Sequence, residues 1–241
     1  MSTMDPTVIG KAFALVRERI ARAAESMGHD SADVTVVAVT KRHPPGLIDA
    51  AHAAGIRHVG ENYVQELTGK LESVQHASDL QWHFIGHLQR NKVKSVVGRV
   101  VLIHAVDSVR LAEEIEKHAA RMASVGVLSN GVQQVLVAVN IAGEEQKSGV
   151  PAAEARELVK TIEKLPHVRC TGLMTMPPLG GEPGANRPYF RELAALRDTL
   201  ATSANPLRHL SMGTSGDFED AVAEGATLVR VGSTIFGRRP T

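Results

Sequence analysis

The sequence predicts an α/β fold, a single (β/α)8 barrel of the TIM type with an extra N-terminal helix, and three observations carry that prediction. Eight short apolar runs alternate with amphipathic stretches from one end of the 241 residues to the other. Several runs, such as Val-Leu-Val-Ala-Val at residues 135–139, are apolar at every position, as parallel strands covered on both faces require. The first run leads into Lys41-Arg-His-Pro-Pro45, not into the glycine-rich turn that opens a doubly wound nucleotide-binding sheet. One domain over residues 1–241 is expected, a length at which such barrels form a single unit.

Residues 6–27 read as the opening helix, with Asp5 placed to cap it and Pro6 at the first helical position, where a missing N–H costs little. Ala12, Leu15, Val16, Ile20 and Ala23 follow a 3.6-residue period. Strand and helix then alternate. The strands fall at 34–40, 57–60, 82–86, 100–104, 134–140, 169–174, 209–212 and 227–231. Helices follow at 45–54, 62–75, 91–97, 108–122, 151–164, 186–202 and 217–223, and a last one starts near Gly232. Residues 176–188 carry four prolines and three glycines, so they form neither a helix nor a central strand. As the loop after strand six they lie on the face where active sites collect, and two readings stand: a lid, or a variable surface loop.

Composition narrows the function. With 27 basic and 26 acidic residues the net charge is +1, and no basic run or interleaved aromatic stripe supports nucleic-acid binding. A lone Cys170 excludes an internal disulfide and agrees with a reducing compartment. The first ten residues lack the layout of a signal peptide, and no apolar run reaches membrane-spanning length. A cytoplasmic protein with no membrane partner is expected.

Lys41 closes the first strand. Such a lysine reads as a surface charge trailing its stem over apolar neighbours, or as an amine at the catalytic mouth of the barrel, able to attack an aldehyde. Nearly two hundred residues later, Arg230-Val-Gly-Ser-Thr-Ile-Phe-Gly237 offers a strand running into a glycine-started helix N-terminus. After strand eight of a barrel this is the usual place for a phosphate, although a ligand-free helix cap has the same composition. It is no P-loop, because Arg238-Arg239 stand where Lys-Ser/Thr is required. An amine at one end and a phosphate cradle at the other suit an aldehyde-bearing phosphate such as pyridoxal phosphate. Ser211 and Gly213, at the end of strand seven, lie beside that cradle. Arg230 shares the strand side of Gly232, where it either pairs with an acid or meets a heteroatom of a bound ring. Asn62, in Glu61-Asn62-Tyr63 after strand two, caps a helix, contacts a ligand, or does both. His83 and His87 are four apart, but the strand character of residues 82–85 argues against a helical metal pair, and no metal is expected.

These residues, in this order, resemble the pyridoxal-phosphate homeostasis protein family, whose barrel is like the N-terminal domain of alanine racemase. The resemblance is carried by Val37-Ala-Val-Thr-Lys41, Gly60-Glu-Asn-Tyr-Val-Gln-Glu66, Trp82-His-Phe-Ile-Gly-His-Leu-Gln-Arg-Asn-Lys92, Val139-Asn-Ile141 with Gln146-Lys-Ser-Gly149, Gly172-Leu-Met174, Leu210-Ser-Met-Gly213 and Val229-Arg-Val-Gly-Ser-Thr-Ile-Phe-Gly237. It implies that Lys41 carries pyridoxal 5'-phosphate as an internal aldimine and that Asn62 lies by the ring. It further implies that Ser211, Gly232 and Ser233 hold the phosphate and that Arg230 faces the pyridine nitrogen. Thr214 and Gly216 depart from the family's more usual Met and Asp, and Arg42-His43 from its usual small or Lys residues.

The resemblance also implies a non-catalytic role: reversible holding of the cofactor, buffering it or delivering it to apo pyridoxal-phosphate enzymes, by a monomer. A permanently charged arginine at the ring nitrogen weakens the ring as an electron sink. Racemases of the related class add a tyrosine from an extra β domain of the partner subunit. Here the sequence runs only to Thr241, and neither Tyr63 nor Tyr189 has an evident place opposite Lys41. A weak racemase-like amino-acid enzyme using Lys41 as sole base is the alternative.

Overall fold

Eight parallel strands close on themselves in chain order, β1 pairing with β2 and so on until β8 returns to β1. The computed structural model describes residues 5–237 except 145, 179 and 181. Two residues of the loop considered as a lid, 179 and 181, therefore lie outside the described residues, as do 1–4 and 238–241. The elements are α1 (Pro6–Glu25), β1 (Thr35–Val39), α2 (Pro45–Ala53), β2 (His58–Glu61), α3 (Val64–Ser73) and β3 (Gln81–Phe84). They continue with β4 (Leu102–Val106), α4 (Val109–Ser124), β5 (Gln133–Ala138), α5 (Ala152–Glu163), β6 (Val168–Met174) and α6 (Arg187–Leu200). The last are β7 (His209–Thr214), α7 (Phe218–Ala223), β8 (Leu228–Val231) and α8 (Ser233–Phe236).

The opening helix forms as its caps predict: the Asp5 side chain accepts from Thr7 N, and Pro6 begins the first turn. Its buried face is Ile9, Val16, Ile20 and Ala24, while Leu15 is turned to solvent. That face packs on α2, α7 and α8, so α1 covers the seam where β8 meets β1. Arg19 fastens it, donating from Nε and Nη2 to both carboxylate oxygens of Glu219 (2.9 and 2.6 Å) with its guanidinium 4.6 Å above the Phe218 ring.

Most element ends shift by one or two residues, and three elements differ in kind, offset or length. The helix at 91–97 is a 3-10 segment, Arg90–Ser95, which places Val93 in the core and is followed by the buried Val96 and Val97. The fourth strand starts two residues late and runs through Ala105 and Val106, both buried. The seventh extends to Thr214 through an irregular step at Gly213 (φ 86°), a backbone region that glycine adopts readily. The final helix is a single turn.

Val37, Leu102, Leu136 and Leu228 form a cluster of their own. They come from β1, β4, β5 and β8, which can meet only inside the barrel. Among the described residues no helix is long and apolar enough to cross a membrane.

Candidate functional site

β1 and β8 lie in parallel register, Val37 opposite Arg230 and Ala38 opposite Val231, so the residues that follow them emerge together at the C-terminal mouth. A cavity of about 300 Å³ opens there, lined by Val39, Lys41, Asn62, Ile85, Met176, Thr214, Ser215, Arg230, Gly232 and Ser233. The structure thus brings Lys41, Asn62, Arg230, Gly232 and Ser233 to one wall system. An adjoining cavity of about 230 Å³ shares Asn62, Ile85 and Met176 and continues past His87, Lys147 and Ser148.

Ser211 is set apart. It is fully buried under Arg230, its Oγ accepting from Nη1 at 2.6 Å and lying 2.8 Å from His104 Nδ1. Ser215 stands on the cavity wall instead. The extra length of β7 carries the mouth past Ser211, and Asp217 then shapes the turn: its Oδ1 accepts from Thr214 N (2.6 Å) and Oγ1 (2.9 Å). Ser215 Oγ in turn accepts from Gly232 N at 3.1 Å and Thr234 N at 3.4 Å, and Ser233 lines the same cavity. The second serine in Ser211-Met-Gly-Thr-Ser215 was the available signal. A Cβ on Gly232 would lie 3.2 Å from Val39 O and 3.3 Å from Val39 Cβ, so this glycine permits the close approach of the two strand ends.

Asn62 sits between β2 and α3, and Tyr63 takes the N-cap position. Freed from capping, the Asn62 side chain reaches the cavity, where its Oδ1 is buried without a hydrogen-bond partner. An unsatisfied buried carbonyl oxygen costs about 1–3 kcal/mol, which a ligand donor would recover. Gly86 makes this placement possible, since a Cβ there would collide with the Asn62 carbonyl.

Behind Lys41 lies a buried ionic brace that the sequence reading missed. Lys70 Nζ donates to Thr40 O (2.8 Å), Glu61 Oε1 (2.7 Å) and Glu66 Oε2 (2.9 Å). Thr40 Oγ1 also donates to Glu61 Oε1, and Arg42 N donates to Glu66 Oε2 at 2.7 Å. Lys41 is held between these two anchored neighbours. Burial raises the Glu61 carboxyl above its usual range, with Lys70 pulling the other way.

Arg230 is 5 % exposed, and Nη2 donates to Thr175 O at 2.9 Å. Burial pushes its pKa down to about 10, with Asp217 opposing, which leaves it charged at neutral pH. His83 and His87 are parted: His83 is inside the barrel, while His87 lies near Asp107 at 3.4 Å. Among the described residues His52, His76 and Asp79 come within ligand reach of one another on the surface. The two imidazoles stack at 4.5 Å and 17°, so their in-plane lone pairs do not converge on one ion.

Residues 14–240 match the family model described as alanine racemase, N-terminal domain. The pyridoxal phosphate homeostasis protein of Aquifex aeolicus is 46 % identical over 225 residues, 93 % of this chain and 95 % of that one. This chain belongs to the pyridoxal phosphate homeostasis protein family. The human member is 38 % identical over 244 residues, covering 96 % of this chain and 86 % of its own. Among solved structures, PipY of Synechococcus elongatus with PLP bound superposes with a TM-score of 0.78 at 32 % identity, over 95 % of this chain and all (100 %) of that one. Alanine racemase of Corynebacterium glutamicum shares the fold alone, at TM-score 0.69 and 14 % identity, over 98 % of this chain and 62 % of its own.

Proposed function

We propose that this chain binds pyridoxal 5'-phosphate in the cavity at the barrel mouth and serves to hold and pass on the cofactor. The convergence of Lys41, Asn62, Arg230, Gly232, Ser233 and Ser215 on that one cavity carries the reading. Lys41 supplies the amine for a covalent tether to the cofactor's aldehyde. Ser215 and Ser233 supply hydroxyl donors to the phosphate, and the N–H groups of Gly232 and Thr234, which donate to Ser215 Oγ, leave that hydroxyl's own proton to point at it. α8 is one turn long, so these local donors carry the site and the helix dipole adds little. The unpaired Asn62 Oδ1 offers an acceptor to a ring substituent, and Arg230 offers a charged donor to the ring nitrogen.

When bound, the cofactor supplies an electrophilic carbon and an aromatic ring that can accept electrons from an attached amino group. Arg230 works against that second property, because a fixed cation disfavours a proton on the ring nitrogen. Among the described residues lining the cavity there is no carboxylate, imidazole or phenol to act as a second acid–base group opposite Lys41. The relatives' shared name, pyridoxal phosphate homeostasis protein, also supports holding over transformation.

Titration with pyridoxal phosphate tests this. Wild type should develop an absorbance band at the edge of the visible, and Lys41→Ala should lack it. An apo-enzyme should then regain activity from the loaded protein. Exchange of amino-acid α-hydrogens in deuterated buffer, well above the rate with free cofactor, would overturn the holding role in favour of a racemase-like enzyme.

A further inference from the structure

Alongside the apolar cluster, and partly from the same strands, the barrel interior holds a file of polar side chains. His58, the first residue of β2, has its Nδ1 3.0 Å from Nε2 of His83 on β3. His83 Nδ1 lies 2.9 Å from Nε2 of His104 on β4, and His104 Nδ1 lies 2.8 Å from Ser211 Oγ on β7. Since β4 and β7 are not neighbours, that last contact crosses the barrel. Arg230 Nη1 closes the file on Ser211 at 2.6 Å. His104 and Ser211 are wholly buried and His83 nearly so, while His58 is part-exposed at the N-terminal end.

Donor chemistry gives this file one direction. A guanidinium only donates, so Ser211 Oγ accepts from Arg230. The serine's single proton then points to His104 Nδ1; the reverse arrangement would strand it without an acceptor in a fully buried place. With Nδ1 accepting, neutral His104 carries its proton on Nε2 and donates to His83 Nδ1. The same step repeats from His83 Nε2 to His58 Nδ1. Burial favours the neutral imidazole at every position: it pushes His83 down to about 3, with His58 and His209 adding, and His104 well below its usual range, with His83, Arg230 and His209 adding. Burial lowers His58 as well.

We propose that His104 and His83 are positioning residues whose directed hydrogen bonds turn the Ser211 proton away from the cavity and hold the Arg230 guanidinium at the edge of the cofactor ring. The role assigned to Arg230 rests on the function proposed above. The direction of the file belongs to the chain alone, and the tests separate the two.

Imidazole ¹⁵N NMR of the cofactor-free protein should show His58, His83 and His104 as neutral Nε2–H tautomers near neutral pH. An Nδ1–H tautomer or an imidazolium at His83 or His104 would overturn the proposal. With cofactor loaded, His104→Leu should shift the band and speed cofactor dissociation about tenfold, the scale of one lost hydrogen bond. His104→Asn keeps an acceptor near Nδ1 and should restore both. Should the leucine variant not fold, Ser211→Ala breaks the same link with little change in volume and should give the same shift. An unchanged band and rate in a folded His104→Leu or Ser211→Ala protein would overturn the proposal. A wild type that shows the tautomers but never the band would instead sink the function proposed above and leave the directed file standing.

Discussion

At the scale of single residues, the proposed phosphate end of the cavity turns on Ser215. Its Oγ accepts from two backbone N–H groups, which fixes its hydroxyl on the wall of the cavity that Ser233 also lines. Ser215→Ala should therefore weaken cofactor binding by about tenfold, the usual scale for a hydrogen bond to a charged group. Equilibrium dialysis checks this, and an unchanged dissociation constant would remove Ser215 from the cradle. Lys41 and Arg230 were legible in the sequence because each stands at a fixed offset from the end of a plainly apolar strand. Ser215 was not, because its place depends on the step at Gly213, which adds length to β7 without any change in residue pattern. For Asn62 the sequence left a helix cap, a ligand contact or both, and Tyr63 at the N-cap rules out only the cap.

At the scale of elements, the Lys70 brace ties the end of β1, the end of β2 and the first turn of α3 into one unit. Lys70→Met should destabilise the protein by about 3–5 kcal/mol, because it leaves Glu61 as a buried charge without its partner. Pairing it with Glu61→Gln should recover much of that loss, and urea unfolding of the single and double variants measures both. Equal loss in the two would show that volume, not charge, governs the site. Lys70 lies on an ordinary amphipathic helix, and nothing in its sequence spacing separates it from a solvated lysine. Alternation of strand and helix was legible throughout, since buried parallel strands leave a dense apolar signal. At residues 90–95 an α-helix gives way to a 3-10 segment, a difference the residue pattern does not carry, since buried Val93, Val96 and Val97 have the spacing of an α-helix.

For the whole molecule, the interior histidines set an acid limit. His83 and His104 are held neutral in the folded state, with burial as the first cause, whereas the unfolded chain protonates them near 6.5. As pH falls below 6.5 the unfolded state gains protons that the folded state refuses, so stability declines toward about 3 for His83. The slope approaches about 1.4 kcal/mol per pH unit for each such histidine. Glu61, raised by burial, has the opposite sign, its contribution falling as pH rises through its folded value. The urea midpoint should therefore drop between about pH 7 and about pH 5, where the histidines dominate; a flat midpoint would contradict neutral interior imidazoles.

Pairing of β1 with β8 joins the two most distant strands in the chain. Ring closure of the sheet waits on the last of its eight strands, and Lys41 and Gly232, which both line the cavity, follow closely on the two strands that close it. No partly wound form with seven strands presents Lys41 and Gly232 to the same small molecule. A ligand gripping both is selective for the finished ring, and mass action alone makes it a latch on the longest loop the fold has to close.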